Sequence, residues 1–551
     1  VGVAVVSLAG CPVAELRLPA EATARSLKQR LQQEVGKPAG RQRLVCGSTI
    51  VEDSCILGSL PQPVSLALVL LPSCPAAGVR LLAAAQRGDA TAAEEALLAQ
   101  ADPDLASPDG PTPLILAAQG GHLQVARLLH EAGADHEQPT ASGTSPLFVA
   151  SHRGHEELVR FLCEAGADKD RANRAGISPL VSAVQKGHLA AASALCQANA
   201  DIERARSNGA PPLLEAASAG HAALVRLLCK AGADRERADC AGATPLLAAA
   251  QAGHREVVQL LGELGAQQDM VLPNGATALH LAVRYRHFQV VQFLVDRGID
   301  KDRGMDGGAT ALFLASQSGD PRLVRFLCQA RADAERARTN GAAPLLAAAQ
   351  SGHAEVVRVL CQARADMGRA TRDGTRPLFI AAQNGHLGVV RFLCEAGVDK
   401  DTLRETGDTP LLGAAQDGHV GVVRYLCEAK ADKDKARKDG STPLFVAAQN
   451  GHLDVVRFLC EAGADRDKAR SSGGATPLYI ASQNGHEKVV AYMYEALLIK
   501  QASDPLPRGT ASPTPVAAEL RSRKLQQQHS LCPPPAGLHL GVDFLTGLDG
   551  R

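Results

Sequence analysis

One motif returns along this chain at a fixed interval and constrains the fold more than any other feature. It consists of Thr-Pro-Leu, a short Ala-rich run and Gly-His. Such a period is typical of a stacked array of small helical units and not of a globular enzyme core. Ten of the eleven steps are 33 residues and the last is 34, because the pair Gly473-Gly474 adds one residue. The second position of the motif falls at Pro113, Pro146, Pro179, Pro212, Pro245, Ala278, Ala311, Pro344, Pro377, Pro410, Pro443 and Pro477.

A single repeat carries the start and stop signals of two short helices. In the repeat that opens with the turn Asp439-Gly440, Thr442 is placed to cap the first helix and Pro443 to occupy its first position. Gly451 is expected to end that helix in a left-handed conformation, and Gly463 to end the second helix. Each repeat is therefore predicted to be a turn followed by two helices.

This pattern resembles the ankyrin repeat, through Thr-Pro-Leu-x-x-Ala-Ala-x-x-Gly-His-x-x-Val-Val-x-x-Leu-x-x-x-Gly-Ala-Asp. The resemblance covers residues 79–500, with twelve repeats in phase and a degenerate one around 83–89, about thirteen in all. It implies a predominantly α chain folded as an ankyrin-type helical solenoid. It also implies binding in a concave groove made by the loop tips and the outer side of the first helices. Repeats are numbered here from the one at Pro113.

The sequence departs from the family pattern at several positions. Acidic residues such as Asp170 and Asp434 replace the Asn that is usual in the loop after Gly-Ala-Asp. Repeats four, eight and nine carry Pro211, Ala343 and Arg376 where the capping Thr is expected. The charged loops indicate a solvated face with ion pairs, and a stripe that recognises a charged peptide is the alternative.

Residues 1–73 follow a different pattern, read as strand, turn, strand, helix, strand, strand. This stretch resembles a ubiquitin-like domain, through Gly36-Lys-Pro38, Arg41-Gln42-Arg43-Leu44-Val45-Cys46-Gly47 and Val51-Glu52-Asp53. The resemblance implies a small α+β domain of the β-grasp type. Residues 74–78 are predicted to link this domain to the array.

The ubiquitin-like resemblance also implies a surface patch at Val45, Ala67 and Val69. Ala67 stands where ubiquitin has His, which weakens the patch. The Gly-Gly tail used for conjugation is absent, so a fixed domain is expected and not a transferable tag. Two roles stay open for it: binding to ubiquitin receptors, or docking on the repeat array.

The charge balance argues against some classes of partner. Lys+Arg and Asp+Glu both number 58, so nothing in the net charge favours nucleic acid or an anionic membrane. No apolar run is long enough to span a membrane. Eight Cys hold one phase of the repeat, from Cys163 to Cys460, and are predicted to be small buried hydrophobic residues. Cysteines used in this way indicate a reducing environment. The protein is therefore expected inside the cell, with the cytoplasm favoured over the nucleus.

The remaining segments carry no chemistry of their own. Residues 501–551 are rich in Pro and are predicted to be a disordered tail, with one short helix at 516–528 as an alternative. The His residues of the Gly-His positions lie a repeat apart and are not expected to share a metal. Phosphate loops, nucleotide fingerprints and Cys-x-x-Cys pairs are missing from the sequence. We therefore predict no catalytic residue, no metal and no cofactor.

The residues predicted to bind a partner lie at loop tips and just before each Gly-His. Arg284 and Tyr285 interrupt a monotonous Gln row, and Tyr and Arg are common interface anchors. They are the proposed hot spot, although a divergent repeat that tolerates Tyr would look the same. The full set is Gln251, Arg284, Tyr285, Gln317, Gln350, Gln383, Asn384, Gln416, Lys438, Asp439, Gln449 and Asn450.

The sequence predicts a monomeric, non-enzymatic scaffold that binds a protein or peptide in the groove of the array. One alternative is an adaptor that links a bound client to ubiquitin receptors or the proteasome. Another is the regulatory part of a larger enzyme, suggested by a first residue, Val1, that is not Met. A third is an elastic spacer whose irregular middle repeats unfold first under load.

Overall fold

The computed structural model shows a small mixed sheet followed by a long run of paired helices. It describes residues 2–7, 12–17, 19, 22–35, 42–46, 49–52, 55–60, 64–70, 75–106, 110–471 and 473–503. The predicted tail lies outside these residues beyond position 503. The chain divides into unit 1, Val1–Ala315 with Gln329–Ala332, and unit 2, Ser316–Cys328 with Asp333–Arg551.

The N-terminal sheet has five strands in the order β2-β1-β5-β3-β4. The central pair, β1 and β5, is parallel, and the other neighbouring pairs are antiparallel. The sequence predicts four strands, and the structure has a fifth, the short β4. It pairs with β3, with Val51 opposite Leu44. The elements are β1 Gly2–Ser7, β2 Pro12–Arg17, α1 Ala24–Val35, β3 Gln42–Cys46, β4 Thr49–Val51 and β5 Val64–Leu70.

One helix covers one face of this sheet. Leu27 and Leu31, one helical turn apart on α1, are fully buried. They belong to the same core as Leu44 of β3 and Leu66 of β5. Because successive strand residues point to opposite faces, Val45 beside Leu44 lies on the uncovered face.

Helices α2 to α27 follow in successive pairs, and the first helix of every in-phase repeat begins at the predicted Pro or Ala. The helices in unit 1 and at the unit boundary are α2 Pro75–Arg87, α3 Ala90–Leu98, α4 Pro113–Gly120, α5 Leu123–Glu131, α6 Pro146–Arg153, α7 Glu156–Glu164, α8 Pro179–Gln185, α9 Leu189–Gln197, α10 Pro212–Ser218, α11 Ala222–Lys230, α12 Pro245–Ala252, α13 Arg255–Glu263, α14 Ala278–Arg284, α15 Phe288–Asp296, α16 Ala311–Ser318 and α17 Pro321–Gln329. Those that follow in unit 2 are α18 Pro344–Gln350, α19 Ala354–Gln362, α20 Pro377–Gln383, α21 Leu387–Glu395, α22 Pro410–Gln416, α23 Val420–Glu428, α24 Pro443–Gln449, α25 Leu453–Glu461, α26 Pro477–Gln483 and α27 Glu487–Ser503.

Residues 75–78, which the sequence analysis assigned to a linker, form the first turn of α2. The reason is packing against the repeat that follows. Ala77 is fully buried, and a Cβ on Gly78 would lie 2.2 Å from the Leu105 side chain. The chain therefore becomes helical at Pro75, a residue suited to the first position of a helix.

The capping and stop signals of the repeat act as the sequence predicts. The Thr442 hydroxyl oxygen accepts a hydrogen bond from the Phe445 N–H at 3.2 Å, and Gly451 has φ 77°. The positions of Pro211, Ala343 and Arg376 lack this side-chain cap. In repeat nine Arg376 instead donates from its guanidinium to the carbonyl of Leu403 at 2.9 Å, which ties two loops together.

The charged loops between repeats form part of the packing within each unit. An Asp434 carboxylate oxygen accepts the backbone N–H of Asp465 at 2.8 Å, one repeat further on. In the same way Asp401 accepts from the Asp432 N–H at 3.1 Å. The acids that replace the family's Asn thus supply the acceptor for a backbone donor in the next loop.

The side of the array formed by the second helices carries two ladders. In unit 2, the Arg424 guanidinium lies 5.0 Å from the Phe458 ring of the next repeat, and Arg391 lies 5.5 Å from the Tyr425 ring. The phased cysteines form the other ladder, and those described are free thiols. Cys394 and Cys460 are buried as predicted, but the other six of the eight are only half-buried, because this side of the second helices faces solvent.

Candidate functional site

The hairpin turns and the exposed side of the first helices together form a surface that we call the groove face of each unit. Each hairpin is closed by backbone bonds, such as the Arg437 N–H to the Ser441 carbonyl at 3.0 Å. Some neighbouring hairpins are also joined to each other, since the Ser471 N–H donates to the Asp439 carbonyl at 3.0 Å and the Arg372 N–H to the Asn340 carbonyl at 3.2 Å. Because the backbone groups are satisfied in this way, the side chains on the groove face have a rigid base.

In unit 1 the predicted hot spot is exposed. Arg284 and Tyr285 end α14 at the surface, and 49% of Tyr285 is accessible to solvent. The Tyr285 ring stacks on His287 with ring centroids 6.4 Å apart. Gln251 is also exposed, and its backbone carbonyl receives the imidazole of His287 at 2.9 Å. The aromatic ring of Tyr285 is therefore held in place and open to a partner.

In unit 2 the exposure of the predicted Gln row decreases along the chain. Gln317 and Gln350 are exposed, whereas Gln383, Gln416 and Gln449 are half-buried. The backbone carbonyls of four of these residues accept an imidazole N–H: those of Gln317, Gln350, Gln416 and Gln449. Gln416 Oε1 accepts a hydrogen bond from the Arg437 guanidinium at 3.4 Å. Among the described residues, no hydrogen bond joins two Gln side chains of the row.

Asn384 and Asn450, which were predicted to bind a partner, have their side chains engaged in the fold. The Asn450 amide donates to the Gln416 carbonyl at 2.7 Å, and the Asn384 amide donates to the Gln350 carbonyl at 2.9 Å. Each of these carbonyls thus receives two donors, the Asn amide and the His imidazole of the next repeat. These two amides therefore bond neighbouring repeats to each other.

Lys438 and Asp439 lie at one hairpin tip with different surroundings. Lys438 is exposed, whereas Asp439 is half-buried and its carboxylate lies 2.8 Å from the guanidinium of Arg470. Partial burial acts to raise the pKa of Asp439, but bonds from Ser441 and the charges of Arg437 and Arg470 hold it below its usual range. Asp439 is therefore an ionised member of a charge network.

Two depressions in the groove face of unit 2 were not expected from the sequence. The larger one, about 620 Å³, lies between repeats eight and nine, with Leu346 and Ile380 at its base. The smaller one, about 300 Å³, lies between repeats ten and twelve and is lined by Arg437 and Arg470. The sequence does carry a signal for the second, because Arg recurs at this hairpin position.

A hairpin beside the larger depression is held by Asp373. Its carboxylate accepts from the hydroxyl of Thr371 and from Thr375 at 2.8 Å, and it pairs with the guanidinium of Arg404. The Thr371 hydroxyl, then Thr375 and Arg404, keep the pKa of Asp373 well below its usual range. The wall of this depression is therefore ionised and fixed.

A family model that describes ankyrin repeats in three copies matches residues 81–173, 166–239, 213–305, 264–338, 302–371, 345–437, 378–469 and 429–503. Together these segments cover the chain from 81 to 503 without a gap. The chain belongs to the ankyrin-repeat family. A search of curated proteins finds no match. Proteins built of ankyrin repeats are generally binding scaffolds without enzymatic activity, which accords with an array whose exposed features are grooves.

Outside the ankyrin repeats, the predicted patch residues lie on neighbouring strands of the N-terminal sheet. Val45 pairs in register with Ala67, and both are half-buried on the face opposite the core. Val69 pairs in register with Arg43. The backbone thus places the three predicted positions together on β3 and β5.

Two further expectations concern metals and membranes. In the described ranges, no three His, Cys, Asp or Glu side chains come together in a way that could hold a metal ion. Each imidazole of the Gly-His positions contacts the preceding repeat, as in His353 to the Gln317 carbonyl at 3.2 Å. Among the described helices, none has both the length and the apolar character needed to cross a membrane.

Proposed function

We propose that this protein is a non-enzymatic scaffold that binds a partner protein or peptide on the groove face of its ankyrin repeats. The observation that carries this proposal is that some polar groups bond neighbouring repeats together while others remain accessible to solvent. Backbone carbonyls, imidazoles, Asn amides and loop acids hold the repeats together, while the Gln317 and Gln350 side chains and two depressions are open to solvent on the groove face. An open surface on a rigid base favours binding.

The groove face of unit 1 offers a second anchor point within the same function. Tyr285 is an exposed aromatic ring at the end of α14, beside the exposed Arg284. Such residues carry a large share of binding energy at interfaces. We include Arg284 and Tyr285 in the proposed binding surface.

Affinity capture with the intact chain tests the proposal when matched surfaces are compared. One variant carries Arg284→Ala with Tyr285→Ala, a second carries Gln350→Trp, and a control carries Arg226→Ala on the second-helix side. The proposal expects partners to be lost with at least one groove variant and kept with the control. Partners that are kept by both groove variants and lost with Arg226→Ala would place recognition on the other side.

A second candidate function is an adaptor, in which the N-terminal sheet is a ubiquitin-like domain that binds ubiquitin receptors or the proteasome. Its support is the strand order β2-β1-β5-β3-β4, with a parallel central pair and a helix between β2 and β3. The accessible pair Val45 and Ala67 supports the same idea. The test is binding of purified ubiquitin receptors to the intact chain and to Ala67→Glu, and receptors that bind neither chain would end this candidate.

We also propose that the protein is intracellular, with the cytoplasm favoured over the nucleus, and that it is a monomer. The support is chemical, since the described cysteines are free thiols and the repeats use them as packing groups. Fractionation of cells with an antibody to the native protein, together with light scattering of the purified chain, tests both statements.

A further inference from the structure

We propose that the groove face of unit 2 binds an extended acidic peptide that places an aliphatic side chain in one depression and a carboxylate in the other. This inference rests on the proposed function, that the groove face is the binding surface, and adds the chemistry of the ligand. The larger depression is called the aliphatic pit and the smaller one the carboxylate pit.

The aliphatic pit lies between the first helices of repeats eight and nine and the hairpins that precede them, and its lining includes Thr339, Asn340 and Thr375. Leu346 and Ile380 provide an apolar base, with the Gln350 side chain at the rim. A pit of about 620 Å³ with an apolar base favours an aliphatic side chain of a ligand.

The carboxylate pit has a different lining. Val446 is its one apolar lining residue among those described, and the rest are polar, including Gln416, Gln449 and Arg437. The pit therefore suits a polar group and not a hydrocarbon.

The charges of the carboxylate pit favour an anion. Two guanidinium groups line it, those of Arg437 and Arg470, against the single lining carboxylate of Asp439. Asp408 lies 3.4 Å from Arg437 and has 14% of its side chain exposed, so it holds Arg437 from the buried side. A ligand carboxylate would meet two fixed Arg side chains and neutral amide donors, a combination suited to planar carboxylates.

The hairpins of unit 2 carry a positive surplus that the rest of the protein lacks. Residues 338–343, 371–376, 404–409, 437–442 and 470–476 hold seven basic and four acidic side chains, a surplus of three. The matching hairpins of unit 1 from 140 to 310 hold two of each, and the whole chain has zero net charge. The surplus complements a peptide with acidic residues along its length.

The spacing of the pits sets the length of the ligand. They lie two repeats apart, roughly 20 Å if neighbouring helices pack at 8–10 Å. An extended chain advances roughly 3.3 Å per residue, so the two anchoring residues should be about six positions apart.

Selection of a random peptide display library on the intact chain tests this chemistry. We expect enriched peptides to be acidic and to carry an aliphatic residue and an Asp or Glu about six positions apart. An enriched peptide is then synthesised with a fluorescent label, and its affinity is measured by anisotropy. Gln449→Glu, which adds a carboxylate to the pit, should weaken binding by about tenfold.

Matched variants locate the peptide and control for folding. Gln350→Trp should also weaken binding, because it covers the rim of the aliphatic pit. Gln362→Glu, the same change at an exposed residue on the second-helix side of unit 2, should leave the affinity unchanged. Circular dichroism checks each fold, and Arg470→Gln replaces Gln449→Glu if that variant does not fold.

The outcomes separate the two levels of the proposal. Peptides that lose affinity with Gln350→Trp but share no acidic residue at the expected spacing would overturn the inference and leave the groove function standing. A selection without enrichment, or peptides indifferent to every groove variant, would overturn the groove function of unit 2 as well.

Discussion

The imidazole of His452 lies against Gly418 of the preceding repeat, and its Nε2 is 2.8 Å from the carbonyl oxygen of Gln416. A carbonyl oxygen only accepts, so Nε2 carries the proton in this contact. The ring can approach the backbone because Gly418 has no side chain. The Gly-His pair of the motif therefore joins neighbours: the Gly of one repeat receives the His of the next.

Substitution of Gly418 by Ala should destabilise the protein through two effects. Gly418 has φ 79°, where an Ala costs about 1–2 kcal/mol, and its Cβ would lie 2.7 Å from the His452 ring. Displacement of the ring should add about 1–3 kcal/mol. Gly463→Ala is the control, because Gly463 has φ 77° with nothing within 4 Å of an added Cβ. In urea unfolding, Gly418→Ala should have a lower free energy of unfolding than Gly463→Ala. Equal losses of unfolding free energy in the two variants would contradict a role for the ring contact.

A missing helix cap can be restored in repeat eight. Ala343 stands at the N-cap of α18 without a side-chain bond, whereas Thr442 caps α24. Ala343→Ser should stabilise the protein and Thr442→Ala should destabilise it, each by about 1 kcal/mol. Thermal unfolding of both variants measures this, and a fall in stability with Ala343→Ser would show that the site cannot hold the hydroxyl.

Asp104 should make the N-terminal end of the array less stable as the pH rises. Burial, aided by the charges of Asp135 and Asp102, raises the pKa of Asp104 to about 7. In the unfolded chain the pKa is about 4, so between pH 4 and 7 the folded state keeps a proton that the unfolded state has lost. Stability is therefore greatest below about pH 4 and falls until about pH 7, by at most about 4 kcal/mol from this group.

Asp104→Asn tests this pH dependence, because the amide keeps the oxygen that accepts the Asp135 N–H at 2.8 Å. The variant should gain in unfolding temperature over the wild type, by a margin that grows from pH 4 to pH 7. Wild-type and variant curves that stay parallel over this range would rule out the effect.

The phased cysteines should react slowly with alkylating reagents. Burial raises the pKa of Cys163, Cys361 and Cys427 to about 11. Two units above the ordinary value lower the thiolate fraction near pH 8 roughly a hundredfold, and the thiolate is the reactive form. Mass spectrometry after iodoacetamide treatment should show Cys240, which is exposed at a hairpin, modified before the phased cysteines. Equal labelling of Cys240 and the phased residues would contradict this order.

The roles of individual groove residues are where the sequence pattern and the structure agree least. The period placed Gln, Asn and hairpin residues at equivalent positions of successive repeats, and within each unit these residues lie at the ends of the first helices and in the hairpins. The period could not show that the Asn450 amide is taken up by the Gln416 carbonyl, since that bond joins residues 34 apart. It also gave no sign of the depression lined by Leu346 and Ile380, because these residues meet only when successive repeats stack.

The sequence alone determined the helical repeats, since the caps, the Pro at first positions and the left-handed Gly of each repeat act within a few residues of one another. It also determined the family. Only the tertiary structure decided which polar groups hold the repeats together and which stay open to a partner, because these bonds join successive repeats. The same contacts turned the acidic loops into acceptors for the next loop and placed Arg437 and Arg470 beside one another, a pairing that follows from stacking and not from local sequence.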